Sequence, residues 1–330
     1  MFQRLLNLGW LVLLAAVVFF AHYNYRQRKT IYFYTGFFCP EETREGISFY
    51  SKNLSRLCSE KGFRLKMTRS LDGLKDLYRL VVFDLEGISR KCLRQYPPKR
   101  LILFLWEPPS TVPKNYQTKY HRYFSRIYTW NDSLVDNRKY FQFYYPEKRL
   151  SPVTAKPFGN KKLLAMVARC KSSQHLNELY SHREREIEFF EKTEDFSLFG
   201  MGWDKKQYRN YRGAIDTKEV LRDFRFCLCY ENIHKIHGYV TEKIFDAFYF
   251  RTVPVYLGAD NITDYIPENC FIDRRKFSSL EALYAYLKNM PEKEHQAYLE
   301  NIERFLNSPE SDRFSPERFF SIFQKALFEN

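Results

Sequence analysis

No C-x-x-C pair and no Cys/His cluster with the spacing of a zinc site occurs among the seven cysteines, Cys39, Cys58, Cys92, Cys170, Cys227, Cys229 and Cys270. That absence argues against a metal-built domain. Their odd total fits poorly with a full set of disulfides and favours a reducing compartment. RNP, KH, helix-turn-helix and zinc-finger patterns are missing too, and the basic residues are dispersed rather than gathered into a stripe, so nucleic acid is not expected as a partner. Internal repeats and low-complexity tracts are absent. Negative charge is also in short supply: 39 Asp and Glu face 53 Lys and Arg, a formal charge of +14. Such an excess favours polyanionic ligands or anionic lipid surfaces.

Apolar residues, by contrast, are plentiful. At 330 residues, with 31 Phe and 25 Tyr, the chain exceeds one typical core, and two domains of roughly 120 to 150 residues each are expected. Leu5 to Tyr25 carries no charged residue while His22 is neutral, and its centre GWLVLLAAVVFFA is long enough to span or nearly span a bilayer. Bulky His22, Tyr23 and Asn24 follow in place of a small-x-small cleavage site, which favours a transmembrane anchor over a cleavable signal peptide. Arg26, Arg28 and Lys29 follow the span whereas only Arg4 and the terminus precede it. The positive-inside rule then places the remainder in the cytoplasm. Asn53, Asn131 and Asn261 stand in N-x-S/T sequons, which matter only in a secretory lumen.

Beyond the anchor and basic flank (1–29), strand-like runs alternate with helical ones, the mark of an α/β protein. IYFYT, LVVF, LILFLW and RIYTW belong to a first α/β half, 30–150. SPVTAKPFGNKK supplies a linker at 151–161, and KLLAMVAR, SLFGMGW, RFCLCY and VPVYLG belong to a second half, 162–308. The tail, 309–330, reads as an amphipathic helix with Phe314, Phe319, Phe320, Phe323 and Leu327 available for docking. Cys227 and Cys229 alternate on a strand and read as small buried hydrophobes.

The stretch from Tyr230 to Gly258 concentrates the chemistry. RFCLCY ends in Glu231 and Asn232, VPVYLG closes on Gly258, and between them Ile244, Phe245, Ala247 and Phe248 fall at the spacing of one buried helix face. Thr241 stands where an N-cap hydroxyl is expected, so the helix starts near Glu242 and Lys243. A lysine in the first turn opposes the helix dipole at about 0.3 to 1 kcal/mol unless an anion shares that end. Free N–H groups there hold phosphate oxygens, and ligands of open α/β sheets sit beyond the strands' carboxyl ends. His234 and His237, in the intervening loop, read as polar loop residues.

Two further residues stand out. Leu101 to Leu105 reads as a strand buried on both faces, and Pro108 with Pro109 holds the next backbone extended, placing Glu107 at a rigid strand exit. Asp84, closing YRLVVFD, is its local rival. Leu176, Leu179, Tyr180, Ile187 and Phe190 form one predicted helical stripe, with Arg183 on its inward face and Arg185 pointing elsewhere.

Tyr230-Glu231-Asn232, then Tyr239-Val240-Thr241-Glu242-Lys243, then Val253-Pro254-Val255 resemble the signature of the α1,3/4-fucosyltransferases of glycosyltransferase family 10. The resemblance extends through GMGW (Gly200 to Trp203), YTWNDSLVDNRKYF (Tyr128 to Phe141) and WEPPS, and covers about residues 30 to 305. It implies a GT-B-like fold, two Rossmann-like domains facing a cleft with the donor held by the second, and inverting transfer of L-fucose from GDP-fucose. The expected acceptor is an oligosaccharide or glycoconjugate hydroxyl, on the N-acetylglucosamine or glucose of lactose-type glycans, in α1,3 or α1,4 linkage. It also implies that Glu107 is the catalytic base, that Arg183 binds the diphosphate, and that Glu231, Asn232, Tyr239, Glu242 and Lys243 line the donor. No essential metal is expected, since cationic side chains clamp phosphate instead, and a divalent ion at most stimulates. The resemblance leaves topology open between a bacterial inner-membrane protein with a cytoplasmic catalytic part and a type II Golgi protein. The alternatives are a GT-B transferase for another nucleotide sugar and a non-catalytic, membrane-tethered glycan- or lipid-binding protein.

Overall fold

A computed structural model describes residues 29–34, 46–147, 153–154, 156–215 and 217–329. The expected anchor, Leu5 to Tyr25, lies outside the described residues. No helix among those described is long and apolar enough to cross a membrane. The chain divides into two compact units, one of residues up to 104 with 119–125, the other of 105–118 with 126 onward.

In the first unit, β1 (Thr30–Tyr34) pairs in parallel with β2 (Arg64–Thr68) and β3 (Leu77–Phe83), and β3 pairs in parallel with β4 (Leu101–Leu105). Helix α1 (Gly46–Glu60) joins β1 to β2. Every residue of β4 is buried, as its unbroken apolar run requires when both faces are covered. The loop after β3 holds Asp84, which is buried and sits at φ 60°.

The second unit is built on five parallel strands: β7 (Lys162–Val167), β8 (Phe196–Phe199), β9 (Phe224–Tyr230), β10 (Val253–Leu257) and β11 (Ile272–Asp273), in the spatial order β11-β10-β9-β7-β8. A shorter parallel pair, β5 (Arg126–Thr129) with β6 (Tyr140–Gln142), belongs to the same unit. The chain leaves β7 to one side for β8 and returns on the other for β9, so the topological switch falls between β7 and β9. Crossover helices α2 (Tyr180–Phe190) and α3 (Glu242–Tyr249) are followed by α4 (Leu280–Asn289), α5 (Glu292–Leu306) and α6 (Pro316–Phe328).

One sequence expectation changes. Leu176 does not start the stripe: α2 begins at Tyr180 and Leu176 is 94% exposed. The helix starts late because the Glu178 carboxylate accepts the N–H groups of Tyr180 (2.5 Å) and Ser181 (3.0 Å), capping it there. Residues 105–118 and 126–147 cluster with the second unit. Trp106 stacks on Phe143 (5.4 Å) and meets Tyr145 (4.7 Å) and Phe319 of α6 (5.9 Å) edge-on, and the Glu147 N–H donates to the Phe314 carbonyl.

Candidate active site

A cavity of about 370 Å³ opens at the carboxyl ends of β7 and β9, the switch point where open α/β sheets take their ligands. Its wall includes Arg183, Asn232, Glu242 and Lys243 from the predicted set, with Arg169, Lys171, Lys218 and Asp246 in addition.

Lys243 sits in the first turn of α3, yet its charge is answered from within the chain. Its Nζ donates to Glu231 Oε2 (3.1 Å) and to Thr241 Oγ1 (2.9 Å). The Thr241 N–H and hydroxyl donate in turn to the Glu231 carboxylate, at 2.8 to 3.0 Å. The hydroxyl expected to cap α3 therefore does not do so; it bridges the ion pair. Glu231 is 0% exposed and lies behind Lys243 rather than on the cavity wall. Gly258 makes room for it, since a Cβ there would meet Glu231 Cγ at 2.6 Å. Burial works against the Lys243 charge, but Glu231 and Glu242 more than offset it and hold its pKa above the usual lysine value. Glu242, half exposed at the helix start, is held at about 2: burial pushes it up, and Lys243 and Lys218 overcome that.

Arg183 is buried, and its Nη2 donates to the carbonyls of Tyr230 (2.7 Å) and Glu231 (2.6 Å) and to Asn232 Oδ1 (3.0 Å). It closes the carboxyl end of β9 while lining the cavity. Arg185 is exposed. Tyr239 is buried behind the wall, its ring 4.5 Å from that of Trp130. The loop leading to it is fastened at Gly238, whose N–H donates to Asn261 Oδ1 (3.0 Å). The Asn261 amide donates to Asp132 and Asp264, both at 3.0 Å, and the Tyr265 hydroxyl donates to Asp132 at 2.6 Å. His234 is tied by its N–H to the Asn177 carbonyl (3.0 Å) and does not line the cavity.

Glu107 belongs to the same compact unit as these residues. Its carbonyl accepts from Asn115 (3.1 Å) and Tyr116 (3.4 Å). The turn that follows is fastened by Ser110 Oγ to the Asn232 carbonyl (3.3 Å), by Thr111 to the Tyr180 hydroxyl (3.2 Å), and by Ser173 Oγ to the Ser110 carbonyl (2.7 Å). Burial raises the Glu107 carboxyl above its usual range; Lys243 and Lys171, both on the cavity wall, pull it part of the way back. A buried carboxylate shifted in this way has the character that general-base catalysis requires. Among the described residues, no group of three or more His, Cys, Asp or Glu side chains is placed to share a metal ion.

Sequence reasoning passed over Arg169, Lys171, Lys218 and Asp246. Asp246 had a signal, standing four residues after Glu242 and so one turn along the same helix face. Lys171 and Lys218 come from loops and had none.

Residues 157–304 match the model of glycosyltransferase family 10 (fucosyltransferase), C-terminal part. The chain is 42% identical over 71 residues to an α-(1,4)-fucosyltransferase of Arabidopsis thaliana, covering 22% of this chain and 18% of the relative. Against the α-(1,3)-fucosyltransferase FucT of Helicobacter pylori it is 33% identical over 121 residues, covering 35% and 25%. It thus spans a quarter or less of the length of these relatives. Among solved structures, an α1,3-fucosyltransferase with GDP-fucose superposes with a TM-score of 0.54 at 16% identity, over 92% of this chain and 91% of the other. A DNA-modifying β-glucosyltransferase gives 0.53 at 14% identity, over 90% and 99%. These likenesses show a GT-B-type α/β fold.

Proposed function

We propose, from the premise that the chain belongs to glycosyltransferase family 10 through its C-terminal domain, that it is an inverting fucosyltransferase moving L-fucose from GDP-fucose to a glycan hydroxyl. The observation that carries this reading is that Arg183 and Lys243 line one cavity whose wall residues Asn232 and Tyr180 also fasten the turn after Glu107, at 3.3 and 3.2 Å. A base and a diphosphate clamp in that relation suit a direct displacement.

In this reading Glu107 takes the proton of the acceptor hydroxyl as its oxygen attacks C1 of the sugar. The bond from C1 to the β-phosphate oxygen breaks, and GDP leaves with the electron pair. Arg183 and Lys243 stabilise the charge that develops on GDP, with Lys171 and Arg169 also on the cavity wall, so a metal is not required. Positioning by rigid neighbours matters as much as charge, and the bonds from the 107–111 turn to Asn232 and Tyr180 supply it. Asn232 and Glu242 meet the donor directly. Glu231 and Tyr239 act one layer back, Glu231 by orienting Lys243. The acceptor is a lactose-type oligosaccharide or glycoconjugate, and Leu5 to Tyr25 is taken as a single membrane anchor.

Incubating the purified chain with GDP-fucose and a panel of lactose-type acceptors, then reading GDP release and product linkage, tests the proposal. Acceptor-dependent GDP release with a fucosylated product is expected. No release with any acceptor would leave the non-catalytic binding reading standing.

A further inference from the structure

Strands β1, β2, β3 and β4 run parallel, so all four begin at one edge of the first unit's sheet. Pairing puts Thr30 level with Arg64 and Leu77, and Leu80 level with Leu101. Cations scattered through the sequence therefore meet at that edge: Lys29 just before β1, Lys61 and Arg64 at the entry to β2, Arg79 in β3, and Lys99 and Arg100 just before β4. The Arg64 N–H donates to the Lys29 carbonyl (3.1 Å) and Arg79 Nη1 to the Lys99 carbonyl (2.7 Å). Lys29, Lys61, Lys99 and Arg100 are exposed. Phe63 and Tyr78 lie among them with ring centroids 4.3 Å apart, and Lys29 Nζ and Arg79 Cζ stand 5.9 and 4.9 Å from the Tyr78 ring. Of the carboxylates nearby, Asp76 answers Arg64 (3.3 Å) and Glu60 is paired with Arg56 (2.9 Å). Between residues 46 and 104, thirteen Lys and Arg stand against five Asp and Glu, an excess of eight in a chain whose total is +14. None of these groups lines the cavity described above.

We propose that this edge seats on an anionic membrane surface, with its cations on the phosphate headgroups and the Phe63–Tyr78 pair at the interfacial level that amphipathic rings favour. A short tether selects that partner. Leu5 to Tyr25 is the expected span, and only Arg26, Gln27 and Arg28 separate it from Lys29. Four extended residues reach roughly 14 Å at most, so the strand starts beside Lys29 stay within about two Debye lengths of the headgroups, each ~8 Å at physiological ionic strength. Every Lys or Arg held near an anionic leaflet strengthens the attraction about fivefold. A soluble polyanion would have to compete with a charged surface leashed at that distance. The seat gives the tethered unit one orientation, with the carboxyl ends of β1 to β4 turned away from the lipid.

The tether rests on reading Leu5 to Tyr25 as a membrane anchor, and the test separates that reading from the seat. The full chain is placed in nanodiscs of phosphatidylcholine, with or without phosphatidylglycerol, and labelled with a water-soluble amine reagent, the rate at each lysine being read by mass spectrometry. Phosphatidylglycerol should slow Lys61 and Lys99 at least about fivefold, and high salt should reverse the slowing. Lys235 and Lys293, exposed in the second unit, should keep their rates. Arg100→Glu should return Lys61 and Lys99 most of the way to their phosphatidylcholine rates. A chain that stays on phosphatidylcholine discs in high salt, but whose Lys61 and Lys99 react equally with and without phosphatidylglycerol, would overturn the seat and leave the anchor standing. Slowing shared equally by Lys235 and Lys293 would overturn the seat too, as would an Arg100→Glu variant that behaves like the unaltered chain. Loss of the chain from phosphatidylcholine discs would overturn the anchor and, with it, the seat.

Discussion

The ammonium of Lys243 lies 3.1 Å from Oε2 of Glu231, a carboxylate with no exposed surface. A cation in a helix's first turn opposes the dipole, and in this fold its compensation is built in before any ligand arrives. Glu231 sets the lysine's position, and the ligand meets a charge already aimed.

Removing one partner of such a pair strands the other. Glu231→Gln is expected to lower the stability of the C-terminal domain by about 3 kcal/mol and to weaken GDP binding, read by urea unfolding and calorimetry. Wild-type values in both would show that the pair neither supports the fold nor positions Lys243.

Glu107→Gln should reduce fucose transfer at least ~10²-fold while GDP affinity stays nearly unchanged, the signature of a lost general base. Undiminished turnover would move that role to another group.

The Glu107 carboxyl is raised by burial and lowered by Lys243 and Lys171. A base works deprotonated, so kcat/KM should fall as pH drops through a value above the ordinary carboxylate range. Lys171→Met removes a cation that favours the charged form, so the acid limb should shift to higher pH. An unmoved limb would separate Lys171 from the base.

Gly258→Ala introduces a methyl group against Glu231 Cγ. Overpacking of this kind typically costs about 1 to 3 kcal/mol, and the displaced carboxylate should carry Lys243 with it. Thermal unfolding together with GDP titration should register both losses, and a variant that keeps full affinity would show the pair to be compliant.

His295 is buried between the rings of Phe158 and Phe226, its Nε2 3.1 Å from the Arg225 carbonyl. Burial lowers its pKa to about 4, below its value of about 6.5 in an unfolded chain. The unfolded chain therefore binds the proton first as pH falls. Stability contributed by the neutral ring is whole above pH ~6.5 and is lost progressively toward pH ~4, by about 3 kcal/mol. Urea unfolding across that range should show the slope, and His295→Gln should flatten it.

Local pattern was enough for the elements that carry the site. The alternation in RFCLCY, the Pro-closed VPVYL run and the apolar stripe of α3 appear as β9, β10 and α3 with boundaries within a residue or two. Arg183 turned inward as its place on the stripe required. What could not be read is pairing across distance. Nothing in the sequence says that Glu231 and Thr241 bind each other, that Lys218 reaches Asp246, or that Trp106 joins the ring cluster of Phe143, Tyr145 and Phe319. Short strands escaped for another reason: β2, with Arg64 and Lys66, and the two-residue β11 have too little periodicity to register.

The Asn261 amide spends its hydrogens on Asp132 and Asp264 while its oxygen holds the Gly238 N–H. An oligosaccharide attached at that nitrogen would have to displace at least one of these carboxylates and loosen the segment that carries Tyr239. The sequon at Asn261, though intact as a tripeptide, is thus closed to modification once the domain has folded, and sugar found there would report that attachment came first.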